Sequence, residues 1–140
     1  MKRFVLILII LFAVSCSKEE EKNVKIENID AFAFQLDNGW ELNSTAIVKD
    51  FMSKENSGKF NSKLSYYVNL TQPDSAVVED ADYGVIDILE NEEQTEYQLN
   101  LQIELDSGFS SGNYKMLVVV MDDLNGKQDS ITVNFELSSD

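Results

Sequence analysis

The chain has 140 residues and a formal net charge of −14, with 11 basic and 25 acidic side chains, one cysteine, one proline and no histidine. Without histidine there is no Ser-His-Asp or Cys-His nucleophile pair and no imidazole to hold a metal. One cysteine leaves no intrachain disulfide, zinc knuckle or iron–sulfur cluster, and so large an acidic excess opposes nucleic-acid phosphates and anionic headgroups.

At the N-terminus, Lys2 and Arg3 precede an unbroken apolar run over residues 4–14, followed by Ser15 and Cys16. A basic segment, an apolar stretch too short to cross a bilayer and a small residue before the break make a secretory signal. The stretch Ala13-Val14-Ser15-Cys16 resembles the lipobox of bacterial lipoproteins, with Ala13 where leucine is usual. That resemblance implies cleavage after residue 15 and a lipid on Cys16. Two or more acyl chains would then anchor the protein stably, which one chain does not do.

Two basic residues leave with the signal, so nine bases face 25 acids and the mature charge is −16. Ser17-Lys18-Glu19-Glu20-Glu21-Lys22 is too polar to bury surface and reads as a solvated tether. It also resembles the export signal that carries some Gram-negative lipoproteins to the cell surface; a periplasm-facing outer-membrane anchor is the alternative. The expected organisation is a signal over 1–15, a lipidated Cys16 and tether over 16–23, and one domain over 24–140.

From Val24 onward the apolar period is two, the signature of half-buried strands. Val24 and Ile26, continuing through Phe32 and Phe34, form the first strand. Trp40, Leu42, Ser44, Ala46 and Val48 form the second, and Leu64, Tyr66, Val68 and Leu70 the third. Residues 85–89 are the fourth. Residues 97–105 alternate without a break and are the fifth. Residues 114–121 are the sixth, and Ile131, Val133, Phe135 and Leu137 mark the seventh. Between them fall Asp37-Asn38-Gly39, Asn56-Ser57-Gly58, Gln72-Pro73-Asp74, Ser107-Gly108, Ser111-Gly112 and Asn125-Gly126, all of them turn chemistry. No segment keeps a helical period.

Seven strands at this spacing predict an all-β, two-sheet antiparallel sandwich. Gly112-Asn113-Tyr114, the apolar strand after it and the Asx-rich turn ending at Gly126 resemble the closing hairpin of bacterial immunoglobulin-like and fibronectin type III-like domains. The resemblance implies that Tyr114 is a tyrosine-corner residue, its hydroxyl bonded back to the preceding loop. Trp40 is a candidate core tryptophan, although it lies on the second strand rather than the third.

Three groups are candidate sites. Asp122, Asp123, Asn125 and Asp129 crowd one hairpin and offer the oxygen ligands calcium needs, but EF-hand spacing fails and turns demand the same residues. No basic residue lies between Lys63 and Lys115, while eleven acidic ones fall from Asp74 to Asp106, predicting one acidic edge or end. If Tyr114, Met116, Val118 and Val120 point inward, Leu117, Val119 and Met121 point out, with Tyr67 beside them, and form a possible interaction face. Asp74-Ser75-Ala76 and Asp129-Ser130-Ile131 resemble an O-glycosylation pattern of some Gram-negative secretory systems. Paired carboxylates alone can run glycoside hydrolysis, but these acids sit on polar strand faces and in loops, so no enzyme is expected. The expected function is an anchored binding module for an envelope protein or glycan, or else an accessory structural subunit with no soluble ligand. The membrane is met through the lipid; nucleic acid is not a partner.

Overall fold

Unbroken apolar–polar alternation suits a strand with one face buried, and residues 97–105 show its outcome: every odd residue from Leu99 to Leu105 is buried and every even one is exposed. The computed structural model describes residues 20–139. Cys16, the signal expected over 1–15 and most of the tether lie outside the described residues. The described chain is all-β, with eight strands and no helix: β1 (Lys25–Leu36), β2 (Gly39–Lys49), β3 (Lys54–Asn56), β4 (Lys59–Thr71), β5 (Val77–Glu90), β6 (Glu96–Leu105), β7 (Gly112–Asp122) and β8 (Gln128–Leu137).

These strands form two antiparallel sheets. The first has three strands in the order β1-β2-β6. In the second, β5 runs along one edge of β4, and β7 pairs the other edge over residues 64–71 of β4 and is itself followed by β8. The short β3 pairs residues 59–61 of β4, on the β7 side and beyond the reach of β7. The inner faces of both sheets meet in one apolar core that holds Leu42, Val48, Leu64, Val68, Leu70, Met116 and Leu137, an arrangement consistent with a β-sandwich.

Eight strands stand where seven were expected, and β3 is the addition. Its three residues are too few for alternation to show. The Ser57-Gly58 turn that folds it onto β4 has φ of 54° and 77°, as a tight hairpin needs. β5 is also longer than the expected 85–89. Its first half carries Glu79, Asp80 and Asp82, which are poor strand formers. A bulge absorbs the irregularity there: the register with β4 slips between Val68 and Leu70, Asp80 takes φ 51°, and its N–H donates to Asn69 Oδ1 at 2.9 Å.

In β1 a second bulge reverses an expectation. Val24 and Ile26 are buried, and unbroken period two would also bury Phe32 and Phe34. The register slips by one residue between Glu27 and Asp30, with Asn28 at φ 55°. One extra residue exchanges the faces of everything beyond it. Ala31 and Ala33 therefore pack on the core, and Phe32 and Phe34 point to solvent.

The loop between β6 and β7 is held by two aromatic residues. Buried Tyr114 donates its hydroxyl to Ser110 O at 2.8 Å, and Trp40 Nε1 donates to Phe109 O at 3.1 Å. The Tyr114 ring stacks on Phe135 at 5.4 Å. Where this loop leaves β6, Gly39 has φ 112°, and a Cβ there would stand 2.1 Å from Leu105 O, so only glycine closes this turn.

Candidate functional site

Hydrogen-bond register fixes which side chains share the outer face of the larger sheet. Tyr67 on β4 lies between Tyr83 on β5 and Val119 on β7. One step along, Ser65 lies between Val85 and Met121. Leu117 stands beside Asn69. The four residues expected on an outward face are indeed on one face, but they do not share its surface equally. Tyr67 and Met121 are 37% and 36% exposed, Leu117 is half-buried, and Val119 is only 5% exposed. Val119 is thus the floor of a shallow recess of about 140 Å³ whose walls are Ser65, Tyr66, Tyr67 and Met121.

The most exposed part of this face is the one sequence reasoning passed over. Tyr83, Val85 and Leu89 on β5 are 72%, 60% and 56% exposed. The signal was present in the alternation of Tyr83, Val85, Asp87 and Leu89 with Gly84, Ile86 and Ile88. Because apolar residues occupy both sets, periodicity alone did not say which set faced the core. Register decides it: Ile86 and Ile88 oppose the inward Leu64 and Ser62 of β4. Gly84 opposes Tyr66, and a Cβ on it would come within 2.9–3.1 Å of the Tyr66 ring. That ring therefore crosses beneath β5, its hydroxyl donating to Asp82 at 3.3 Å. Burial, reinforced by the negative charge of Asp82, pushes the Tyr66 hydroxyl above its ordinary pKa.

The acidic run follows the same strand. Glu79, Asp80, Asp82, Asp87 and Glu90 lie on β5, Asp74 in the turn before it, Glu92 and Glu93 in the turn after it, and Glu96 at the start of β6. They line the β5 side of the molecule from one end to the other.

The Asx group of the β7–β8 hairpin is spent on neighbouring chain. Fully buried Asp122 accepts the N–H groups of Met52 at 2.6 Å and Leu124 at 2.9 Å. Asp123 accepts the Ser65 hydroxyl, and Asp129 accepts the N–H of Ile26 at 3.0 Å. Asn125 accepts from Lys127 N–H and donates to Lys22 O at 3.0 Å. These side chains staple four other stretches, around Lys22, Ile26, Met52 and Ser65, to one hairpin. Among the described residues no three acidic or sulfur side chains gather where one metal ion would sit. The tether end is held with them: Lys22 pairs with Glu93, and Lys127 with Glu21 at 3.0 Å.

A second apolar group lies on the outer face of the smaller sheet, where the Phe32 and Phe34 rings meet edge to face at 5.3 Å. Their neighbours on β2 and β6 are polar: Glu41, Asn43, Thr45, Asn100 and Gln102. Glu41 is held below the ordinary carboxylate range by hydrogen bonds from Asn43 and Gln102.

No protein-family model matches the chain, and no curated protein matches it. Among solved structures it is similar to a family 123 glycoside hydrolase from Clostridium perfringens, with a TM-score of 0.50 and 15% identity over 83% of this chain. The chain spans 27% of that protein's length, and at this identity the likeness shows the fold alone.

Proposed function

We propose that this protein is an envelope lipoprotein, anchored through Cys16, whose immunoglobulin-like and fibronectin type III-like sandwich binds a protein or glycan partner at the cell envelope. The observation that carries the binding role is the continuous apolar group Tyr83, Val85, Tyr67 and Met121 on the outer face of the larger sheet. Apolar groups of this kind, rimmed by charge, are typical of interaction surfaces. The fold type is supported by the strand partition β1-β2-β6 against β5-β4-β7-β8 and by the Tyr114 hydroxyl bond to Ser110.

Anchoring is supported by the basic, apolar and Cys16 pattern of residues 1–16. The docked residue Lys22 adds an orientation. Its carbonyl is bonded to Asn125 in the β7–β8 turn, so the anchor enters from that end of the sandwich. Cys16 lies four residue steps before Glu20, a reach of at most ~14 Å. The turn end then faces the membrane, and the sheet faces stand sideways to it.

Crosslinking in intact cells, followed by affinity capture, tests the reading. Wild-type protein and a Tyr67→Ser/Tyr83→Ser/Met121→Gln variant are compared at equal membrane abundance. A single partner, near stoichiometric with the wild type and lost from the variant, is the expected result. Equal recovery from both would move the binding surface elsewhere. A Cys16→Ala protein that stays in the membrane would break the anchoring half of the reading.

A further inference from the structure

One edge of β5 is hydrogen-bonded to β4, and among the described residues no strand pairs with the other edge. An open edge offers a row of backbone donors and acceptors to any extended segment that fits beside it. The segment Tyr83-Gly84-Val85-Ile86-Asp87-Ile88-Leu89 is continuous strand. Beside its far part lies an open recess of about 360 Å³, bounded by Ile88 and Leu89 on β5 and by Gln94, Glu96 and Tyr97 beyond it.

Charge decides what can enter. β5 carries Glu79, Asp80, Asp82, Asp87 and Glu90 and no basic residue. Two copies joined at this edge would bring two such sets of carboxylates together, and like charges opposite one another destabilise a strand pair. The same carboxylates favour an incoming strand that bears lysine or arginine. Repulsion of one partner and attraction of another are the two halves of specificity. An edge meant only to be closed would place charge along its outward positions; here Asp87 alone does so, between Val85 and Leu89, and Tyr83, Val85 and Leu89 are apolar and exposed.

We propose that the open edge of β5 accepts an extended strand of a partner protein that is mainly apolar and carries lysine or arginine at the positions opposite Asp82, Asp87 and Glu90, widening the larger sheet by one strand. This rests on the reading of the outer face as the binding surface and names the partner's chemistry. Apolar residues of the guest lie beside Tyr83, Val85 and Leu89, one basic residue meets Asp87, and others meet Asp82 and Glu90 at the ends of the pairing.

The test uses the full chain in nonionic detergent and the synthetic peptide Lys-Val-Val-Lys-Val-Val-Thr-Val-Lys. Binding is followed by titration and by amide hydrogen exchange on β5. The peptide should bind, slow exchange at the β5 amides that face away from β4, and bind about tenfold more weakly when its lysines are replaced by glutamate or when Asp87 is changed to Lys. N-methylation of alternate peptide amides should abolish binding. Binding that survives N-methylation, or that leaves β5 exchange unchanged, would place the guest on the flat face and overturn strand addition. No binding by the lysine peptide would overturn it too. In either case loss of the partner from the Tyr67/Tyr83/Met121 variant would leave the broader reading standing, and only equal recovery would remove both.

Discussion

The outer faces of the two sheets are built to different rules. On the smaller sheet, β2 and β6 present Glu41, Asn43, Thr45, Asn100, Gln102 and Glu104 outward beside half-buried Ile47, and among the described residues the exposed large apolar side chains of this face are those of β1, Phe32, Phe34 and Leu36, beyond its bulge. On the larger sheet, β4, β5 and β7 carry apolar residues on both faces, so Tyr83 and Val85 remain exposed while Ile86, Val118 and Val120 on the same strands face the core. A face that needed only to be soluble would resemble the first. The contrast teaches that the two sides of these strands carry different loads: inward residues hold the fold, and outward apolar residues of β4, β5 and β7 stay exposed, which is what the proposed interaction face requires.

That separation can be broken by substitution. The largest effect should come from Leu64→Ala on the inner face of β4. The residue is fully buried, and losing it should cost about 2–5 kcal/mol in chemical denaturation, the transfer loss plus a cavity. Next comes Asp122→Ala, which strands the Met52 and Leu124 N–H groups around a buried position; about 2–4 kcal/mol is expected from two unsatisfied donors. Tyr114→Phe keeps the stacked ring and removes only the bond to Ser110, so unfolding should be easier by about 1 kcal/mol. Tyr83→Ser with Val85→Thr on the outer face should change stability by no more than about 0.5 kcal/mol each. A loss near that of Leu64→Ala would mean that the outer face belongs to the folding core after all.

The adjacent residues Tyr66 and Tyr67 sharpen the contrast without changing the backbone. Tyr66 lies under Gly84, and its pKa is raised in the folded chain by burial and by Asp82. Between the unfolded and folded values the native state holds a proton that the unfolded state has lost. The stabilisation from neutral Tyr66 is therefore complete below pH ~10 and lost as pH rises through the higher folded value. Stability of the wild type should fall with rising pH in that alkaline window, and Tyr66→Phe should flatten the fall. An unchanged slope in Tyr66→Phe would contradict the position assigned to this ring.

How legible this was in the sequence varied by strand. Where one face is polar, as in β6 and β8, alternation gave both the strand and its orientation. In β5 both faces are apolar and the first half is acidic, so the pattern showed neither its length nor its outward row. In β1 a single extra residue at Asn28 reversed the sides of Phe32 and Phe34, and a bulge leaves no mark in composition. Met121 was read as outward because β7 is a long apolar strand with one clear inner set, and Tyr67 was placed beside it from a neighbouring strand, β4. Tyr83 and Val85 were missed because only pairing with β4 tells their face from that of Ile86. The Asx hairpin showed the reverse problem: its residues read equally as a calcium cluster or as turn formers, and only the chain segments they reach, around Ile26, Met52 and Lys22, show their role as staples.

The division between the two faces is tested most directly by photo-crosslinking in living cells from single sites. A photoreactive phenylalanine analogue replaces Tyr83 or Met121 on the larger sheet, and Asn43 or Asn100 on the smaller one. A discrete adduct from positions 83 and 121, with none from 43 and 100, is the expected result. Adducts from 43 and 100 alone, or equal adducts from all four, would contradict the assignment of the interaction surface to the larger sheet.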